Sequence, residues 1–159
     1  MHKAIFLDRD GVINIDHGYV HKIENFEFVP GIFEALRHFR DLGYKLIIVT
    51  NQSGIGRGYY SEEDFWKLSN WMQERLMAEG IEITEIFHCP HHPDSGCGCR
   101  KPEPGMILEA IKKYDIDPER SWMIGDKPSD LEAAQRAGVK NGILIGEHTI
   151  FDTIKIIKG

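Results

Sequence analysis

The sequence predicts an α/β fold: a mostly parallel central sheet with helices on both faces, stacked as a three-layer sandwich. Short apolar runs alternate with segments of helical periodicity, the pattern of repeated strand–helix units. The runs are apolar at consecutive positions, as expected of strands covered on both faces. Polar residues follow several runs directly, and in open parallel sheets ligands bind beyond the carboxyl ends of the strands.

The elements follow in order. Ala4-Ile5-Phe6-Leu7 reads as the first strand. Residues 31–42 read as a helix with Ile32, Leu36 and Phe39 on one face and Gly43 as its stop. Residues 45–49 form the second strand. Ser61-Glu62-Glu63-Asp64 is a capping signal for a helix that runs to about residue 79, with Phe65, Leu68, Met72 and Leu76 facing inward. Residues 85–88 are a short third strand. Pro104 opens a helix carrying Met106, Ile107, Ala110, Ile111 and Tyr114. Residues 122–124 are the fourth strand. Ser129 and Glu132 suggest a capping box for a helix ending at Gly138. Residues 141–145 are a fifth strand, and residues 151–157 a terminal helix. Phe26, Phe28, Phe33, Phe39, Phe65 and Trp122 are read as core. No repeat, linker or low-complexity stretch interrupts the pattern, so a single domain over residues 1–159 is expected.

Length and charge exclude several function classes. A chain of 159 residues can bury a real core but leaves little room for a second. A net charge of -6 argues against nucleic-acid binding, which asks for a basic face. The apolar start is too short for a signal peptide and is interrupted by Asp8, and no run approaches the ~18–20 residues of a membrane span. A cytoplasmic location and a monomer are expected. All three cysteines fall between positions 89 and 99, which in a reducing compartment favours metal over disulfide.

Phe6-Leu7-Asp8-Arg9-Asp10-Gly11 places two carboxylates two residues apart where a buried strand ends. Alternate strand residues point the same way, so Asp8 and Asp10 are expected to converge, with Gly11 allowing the bend that follows. Three further segments supply complementary chemistry. Ile47-Ile48-Val49 runs into Thr50-Asn51-Gln52-Ser53-Gly54, whose hydroxyl and amides suit phosphate oxygens. Arg100-Lys101-Pro102 supplies cations. Met123-Ile124 runs into Gly125-Asp126-Lys127, with a second acid at Asp130. Each segment alone also fits a turn or a solvated pair; their order along one chain is what argues for a site.

In that order the four segments match the motifs of the haloacid-dehalogenase-like superfamily, which the chain resembles over residues 3–146. More narrowly it is similar to the bacterial D,D-heptose 1,7-bisphosphate phosphatases. That likeness rests on Asp8-Arg9-Asp10-Gly11-Val12-Ile13-Asn14, Asp16-His17-Gly18-Tyr19-Val20, Thr50-Asn51-Gln52-Ser53-Gly54, Cys89-Pro90-His91-His92-Pro93, Cys97-Gly98-Cys99-Arg100-Lys101-Pro102 and Gly125-Asp126-Lys127. The resemblance implies a Rossmann-like fold without a large cap domain and a phosphatase that works through an aspartyl-phosphate. It assigns Asp8 as nucleophile and Asp10 as general acid/base, a division spacing alone does not make. It also implies Mg²⁺ held by the Asp8 carboxylate, the Asp10 backbone carbonyl and the Asp126 carboxylate, with Asp130 in support. Thr50 and Lys101 would serve the transferring phosphoryl group. Asp16, His17, Gly18, Tyr19, Asn51, Gln52, Ser53, Arg100, Lys101 and Lys127 would contact a phosphorylated sugar, and the loop from Asp16 would lie over it; the role of His21 stays open.

Cys89, His91, Cys97 and Cys99 group three thiols and one imidazole within eleven residues, a donor set that suits Zn²⁺ far better than Mg²⁺. His92 is an alternative imidazole; the resemblance favours His91. Four protein ligands leave no open position, so the expected zinc is structural, and the loop it fixes leads straight into Arg100 and Lys101. Only five residues separate His91 from Cys97, a compact form similar to the histidinol-phosphatase relatives. The leading expectation is removal of the 7-phosphate of a heptose 1,7-bisphosphate. Histidinol-phosphate phosphatase, DNA 3′-end phosphatase and a catalytically silent zinc-stabilised module are the alternatives.

Overall fold

The computed structural model describes all 159 residues, Met1–Gly159. Five strands form one sheet: β1 (Ala4–Leu7), β2 (Lys45–Asn51), β3 (Glu85–Cys89), β4 (Trp122–Gly125) and β5 (Asn141–Leu144). Their spatial order is β3-β2-β1-β4-β5 and every pairing is parallel. Phe6 lies opposite Ile47 on one side and Met123 on the other, so β1 is fully enclosed. The chain builds outward from β1 through β2 to β3, then crosses back to add β4 and β5. The order therefore reverses between β1 and β4, and such a switch point opens a crevice at the strand ends.

Six helices cover the sheet: α1 (Ile32–Asp41), α2 (Ser53–Gly56), α3 (Glu62–Ala78), α4 (Gly105–Tyr114), α5 (Pro128–Arg136) and α6 (Ile150–Ile156). Strand alternation divides the core between the two faces. Ile5, Leu7, Leu46 and Ile48 pack with Leu36 and Phe39 of α1, Phe65 and Met72 of α3, and Ile150 of α6. Ala4, Phe6, Ile47 and Val49 pack with Met106 and Ile107 of α4 and with Ala133 and Ala134 of α5. Phe26, Phe39 and Phe65 are buried, while Phe28, Phe33 and Trp122 are partly buried against the same core, as expected of them.

The capping signal before α3 forms as read. The Ser61 Oγ accepts from the Asp64 amide, and the Ser61 amide donates to Asp64 Oδ2, both at 3.0 Å. The expected box at Ser129 and Glu132 does not form. Pro128 occupies the first position of α5, so the cap falls at Lys127, and Asp130 takes the acidic role. Proline at that position lacks only an amide that would be unpaired anyway. No helix is long and apolar enough to cross a membrane.

Candidate active site

The crevice at the switch point is a cleft of about 350 Å³. Asp8 directly follows β1, its amide still donating to the Ile124 carbonyl of β4 at 3.1 Å, and Asp10 reaches the cleft by the turn after it and not by strand alternation. The Arg9 carbonyl accepts the amides of Val12, Ile13 and Asn14 at 3.2, 2.8 and 3.2 Å, curling the chain tightly. Gly11 makes that curl possible, with φ +91°. A Cβ on Gly11 would also sit 2.1 Å from Asp126 Oδ2, so the residue is excluded by space as well as by conformation.

Asp10 is held at both oxygens. Its Oδ1 accepts from Arg9 Nη2 at 2.7 Å and from Asn14 Nδ2 at 3.0 Å; its Oδ2 accepts only from Gln52 Nε2, at 3.1 Å. The Gln52 amide is oriented by the buried Tyr60 hydroxyl, which donates to Gln52 Oε1. Burial pushes that phenol up to about 12, keeping it a donor.

Lys101 connects the remaining acids. Its buried ammonium lies 3.1 Å from Asp8 Oδ1 and 2.6 Å from Asp130 Oδ1, and donates to the Val49 carbonyl at 2.9 Å. Asn51 clamps the Lys101 backbone from both sides, accepting its amide at 3.0 Å and donating to its carbonyl at 3.3 Å. Burial pulls the Lys101 ammonium down, but Asp8 and Asp130 more than restore it, so it stays charged. Asp130 Oδ2 accepts the amides of Asp126 and Lys127, both at 3.1 Å.

Four carboxylates thus face only two buried cations, Arg9 and Lys101. The excess shows in their titration. Burial pushes Asp8 up to about 7 against the pull of Lys101, with Asp130 and Asp10 adding to the rise. Burial and then Asp130 likewise raise Asp126. Asp8, Asp126 and Asp130 each offer an oxygen, all within 4.8 Å of one another. Both Asp130 oxygens already have partners, whereas the buried Asp126 Oδ1 has none. An all-oxygen set with two uncompensated charges and one orphaned oxygen fits a hard divalent cation such as Mg²⁺.

Most of the sequence-derived contact residues line this cleft: Asp16, Gly18, Tyr19, Asn51, Gln52, Ser53, Arg100, Lys101 and Lys127. His17 does not. Its ring turns outward to Glu27, at 3.3 Å and exposed to solvent. Thr50 is completely buried behind the wall, where its hydroxyl accepts from Gln52 Nε2 at 2.9 Å. The Gln52 backbone N–H is not free for phosphate either, since it donates to the Cys89 carbonyl at 2.8 Å. His21 stacks on Tyr60 with ring centroids 4.8 Å apart and bonds the Tyr19 carbonyl, which makes it an anchor of the loop. Sequence reasoning missed Arg9, Arg57, Tyr60 and Ser129. Arg57 lines the cleft beside Arg100, and its Nε lies 3.3 Å from Ser53 Oγ, with no carboxylate partner. Its place in Ser53-Gly54-Ile55-Gly56-Arg57, directly after a strand-end motif, was the available signal.

The cysteine cluster closes beside the cleft. Cys89 Sγ lies 3.4 Å from both His91 Nδ1 and Cys97 Sγ, and His91 Nδ1 is 3.2 Å from Cys99 Sγ. A tetrahedral zinc with Zn–S of ~2.3 Å has edges of roughly 3.5–3.8 Å, so this slightly tighter set has the size such an ion needs. His92 is outside it, facing the Asp94 amide. The loop is closed by Gly105, whose amide donates to the Gly98 carbonyl at 3.0 Å and whose Cβ, if present, would strike that oxygen.

The model of the haloacid dehalogenase-like hydrolases matches residues 16–138 of this sequence. The chain belongs to that family. Among relatives of this hydrolase is the D-glycero-beta-D-manno-heptose-1,7-bisphosphate 7-phosphatase of Pasteurella multocida, 51% identical over 91% of this chain and 82% of the relative. The D-glycero-alpha-D-manno-heptose-1,7-bisphosphate 7-phosphatase of Photorhabdus laumondii is 50% identical over 90% of this chain and 82% of its own. Among solved structures, the D,D-heptose 1,7-bisphosphate phosphatase of B. bronchiseptica with magnesium and phosphate matches with TM-score 0.80. It is 37% identical and covers 85% of this chain and 76% of its own. The family together with these phosphatase relatives makes the chain a phosphoric monoester hydrolase, and its acids lie at the expected end of a parallel sheet.

Proposed function

We propose that this chain hydrolyses the 7-phosphate of D-glycero-D-manno-heptose 1,7-bisphosphate, a step of nucleotide-activated heptose biosynthesis. The observation that carries the reading is one cleft holding Asp8 beside Lys101 and Asp10 with a lightly bonded Oδ2. It occurs in a chain half identical to heptose bisphosphate 7-phosphatases over nine-tenths of its length. These relatives support a heptose bisphosphate phosphatase and not the histidinol-phosphate or DNA 3′-end alternatives.

Asp8 attacks phosphorus, a P–O bond forms to its carboxylate, and the bond to the sugar O7 breaks. Asp10 gives its proton to that leaving oxygen. Because Arg9 and Asn14 occupy Oδ1, the proton is carried on Oδ2. A water then attacks the aspartyl-phosphate, Asp10 takes its proton, and phosphate leaves with Asp8 restored. Lys101 neutralises the transferring group from its fixed position. The Asp8 and Asp126 carboxylates and the Asp10 carbonyl would hold Mg²⁺, which when bound offsets the repulsion between these acids and a phosphate dianion. Cys89, His91, Cys97 and Cys99 would hold Zn²⁺ and keep Arg100 and Lys101 in place. Arg57, Arg100 and Lys127 give the outer cleft the positive charge a second phosphate needs.

Phosphate release with Mg²⁺ tests the proposal, using both anomers of the heptose bisphosphate beside histidinol phosphate, with Asp8→Asn as blank. A preference for heptose bisphosphate above ~100-fold, about 2.7 kcal/mol of discrimination, is expected. A preference for histidinol phosphate would overturn the substrate, and equal activity in Asp8→Asn the mechanism.

A further inference from the structure

Arg9 is the largest fully buried side chain in the protein, and the steps above use it only as a neighbour. Sequestering a guanidinium is costly unless its charge and N–H groups are matched. The matching here is unusual. One nitrogen, Nη2, donates both to Asp10 Oδ1 and to the Val20 carbonyl, each at 2.7 Å. Nε is buried with no partner, and the group lies over the Phe26 ring at 6.0 Å. Two hydrogens on one atom therefore join Asp10 to the last residue of the loop that carries Asp16, Gly18 and Tyr19 into the cleft. That loop is held in a demanding conformation, since Tyr19 has φ +48° without being glycine.

We propose that Arg9 is a positioning residue for Asp10 that also fixes the cleft loop through Val20. It rests on the reading of Asp10 as general acid/base. By filling Oδ1, Arg9 leaves Oδ2 as the oxygen that exchanges protons with the leaving group and with water. Through Val20 the same nitrogen fixes where the loop stands relative to that oxygen. A guanidinium is suited to this double duty because its N–H directions are rigid; a lysine ammonium is a single point at the end of a flexible stem.

A double-mutant cycle with two leaving groups separates this role from plain core support. A sugar alkoxide needs a proton to depart, whereas p-nitrophenolate leaves without one. Measured as the pre-steady-state rate of leaving-group release, which precedes the attack of water that both substrates share, Asp10→Asn is expected to lose about 10²–10⁴ on the heptose bisphosphate and under about tenfold on p-nitrophenyl phosphate. Arg9→Met is expected to follow the same pattern, losing about 10–100-fold in that release rate on the sugar phosphate with little change on the aryl phosphate. In the Asp10→Asn background it should change that release rate by less than about threefold, because its effect on leaving-group departure passes through Asp10, while its hold on Val20 acts on KM. Equal losses on both substrates, or losses that multiply in the double variant, would overturn the proposal. If Arg9→Met does not fold by circular dichroism, Arg9→Lys runs through the same cycle with the same criteria. An Asp10→Asn enzyme without leaving-group dependence would instead overturn the role of Asp10 itself, and the proposal with it.

Discussion

Lys101→Met should cost this protein both stability and rate, by amounts the structure bounds. The ammonium is buried between Asp8 at 3.1 Å and Asp130 at 2.6 Å and also bonds the Val49 carbonyl. Its removal leaves that carbonyl unpaired and two carboxylates facing each other. Removing one partner of a buried charge pair costs ~3–5 kcal/mol. For a chain this long, each kcal/mol moves Tm by ~2–4 °C, so a fall of ~6–20 °C is expected at pH 8. At pH 6 the fall should shrink, since Asp8 already titrates near about 7 and can be neutralised by a proton instead. Saturating Mg²⁺ should narrow the gap for the same electrostatic reason. The loss of a fixed cation at the phosphoryl group should lower kcat by ~10²–10³, on the scale of one oxyanion-stabilising donor. Calorimetry at both pH values and phosphate release measure the two effects. A Tm within ~2 °C of wild type at pH 8, with kcat within about threefold, would refute the assignment of Lys101 as the central counter-charge.

Without Mg²⁺, the raised Asp8 makes the folded state hold a proton that the unfolded chain releases. Stability should therefore fall as pH rises from about 4 to about 7, and Mg²⁺ should abolish that decline; a flat Tm profile without the ion would contradict it. Mg²⁺ affinity measured by calorimetric titration should weaken from pH 8 to pH 6, as protons compete for Asp8. Elemental analysis should find one zinc per chain, and Cys97→Ser should lose it with a fall in kcat, because the loop that carries Arg100 and Lys101 loosens. Arg57→Ala should raise KM about tenfold for the bisphosphate but not for a monophosphate, as expected if a desolvated charge pair of ~1.4 kcal/mol is lost at the distal phosphate.

The sheet was legible because its information is local. Ala4–Leu7 and residues 46–49 of β2 are apolar on both faces, and polar residues follow each run at its carboxyl end. The cysteine cluster was legible for the same reason, since eleven residues hold all four donors. What could not be read were partnerships across the chain. Tyr60 orients Gln52, and Arg9 meets Val20, through folding of separate segments. His17 sits within a matching motif yet turns to Glu27, a choice made by the loop's path and not by its residue type. The α5 cap was readable but misassigned. Pro128 marks the first helical position, which puts the capping acid at Asp130. Asp130 thus joins two tasks: it closes the helix start and holds Lys101 against Asp8.

The proposed activity is tested most directly by following heptose 1,7-bisphosphate by ³¹P NMR during turnover with Mg²⁺. Loss of the C7 phosphomonoester signal, growth of inorganic phosphate and retention of the C1 phosphate are expected, with no change in Asp8→Asn. Loss of the C1 phosphate, or an unchanged spectrum with the wild-type enzyme, would contradict it.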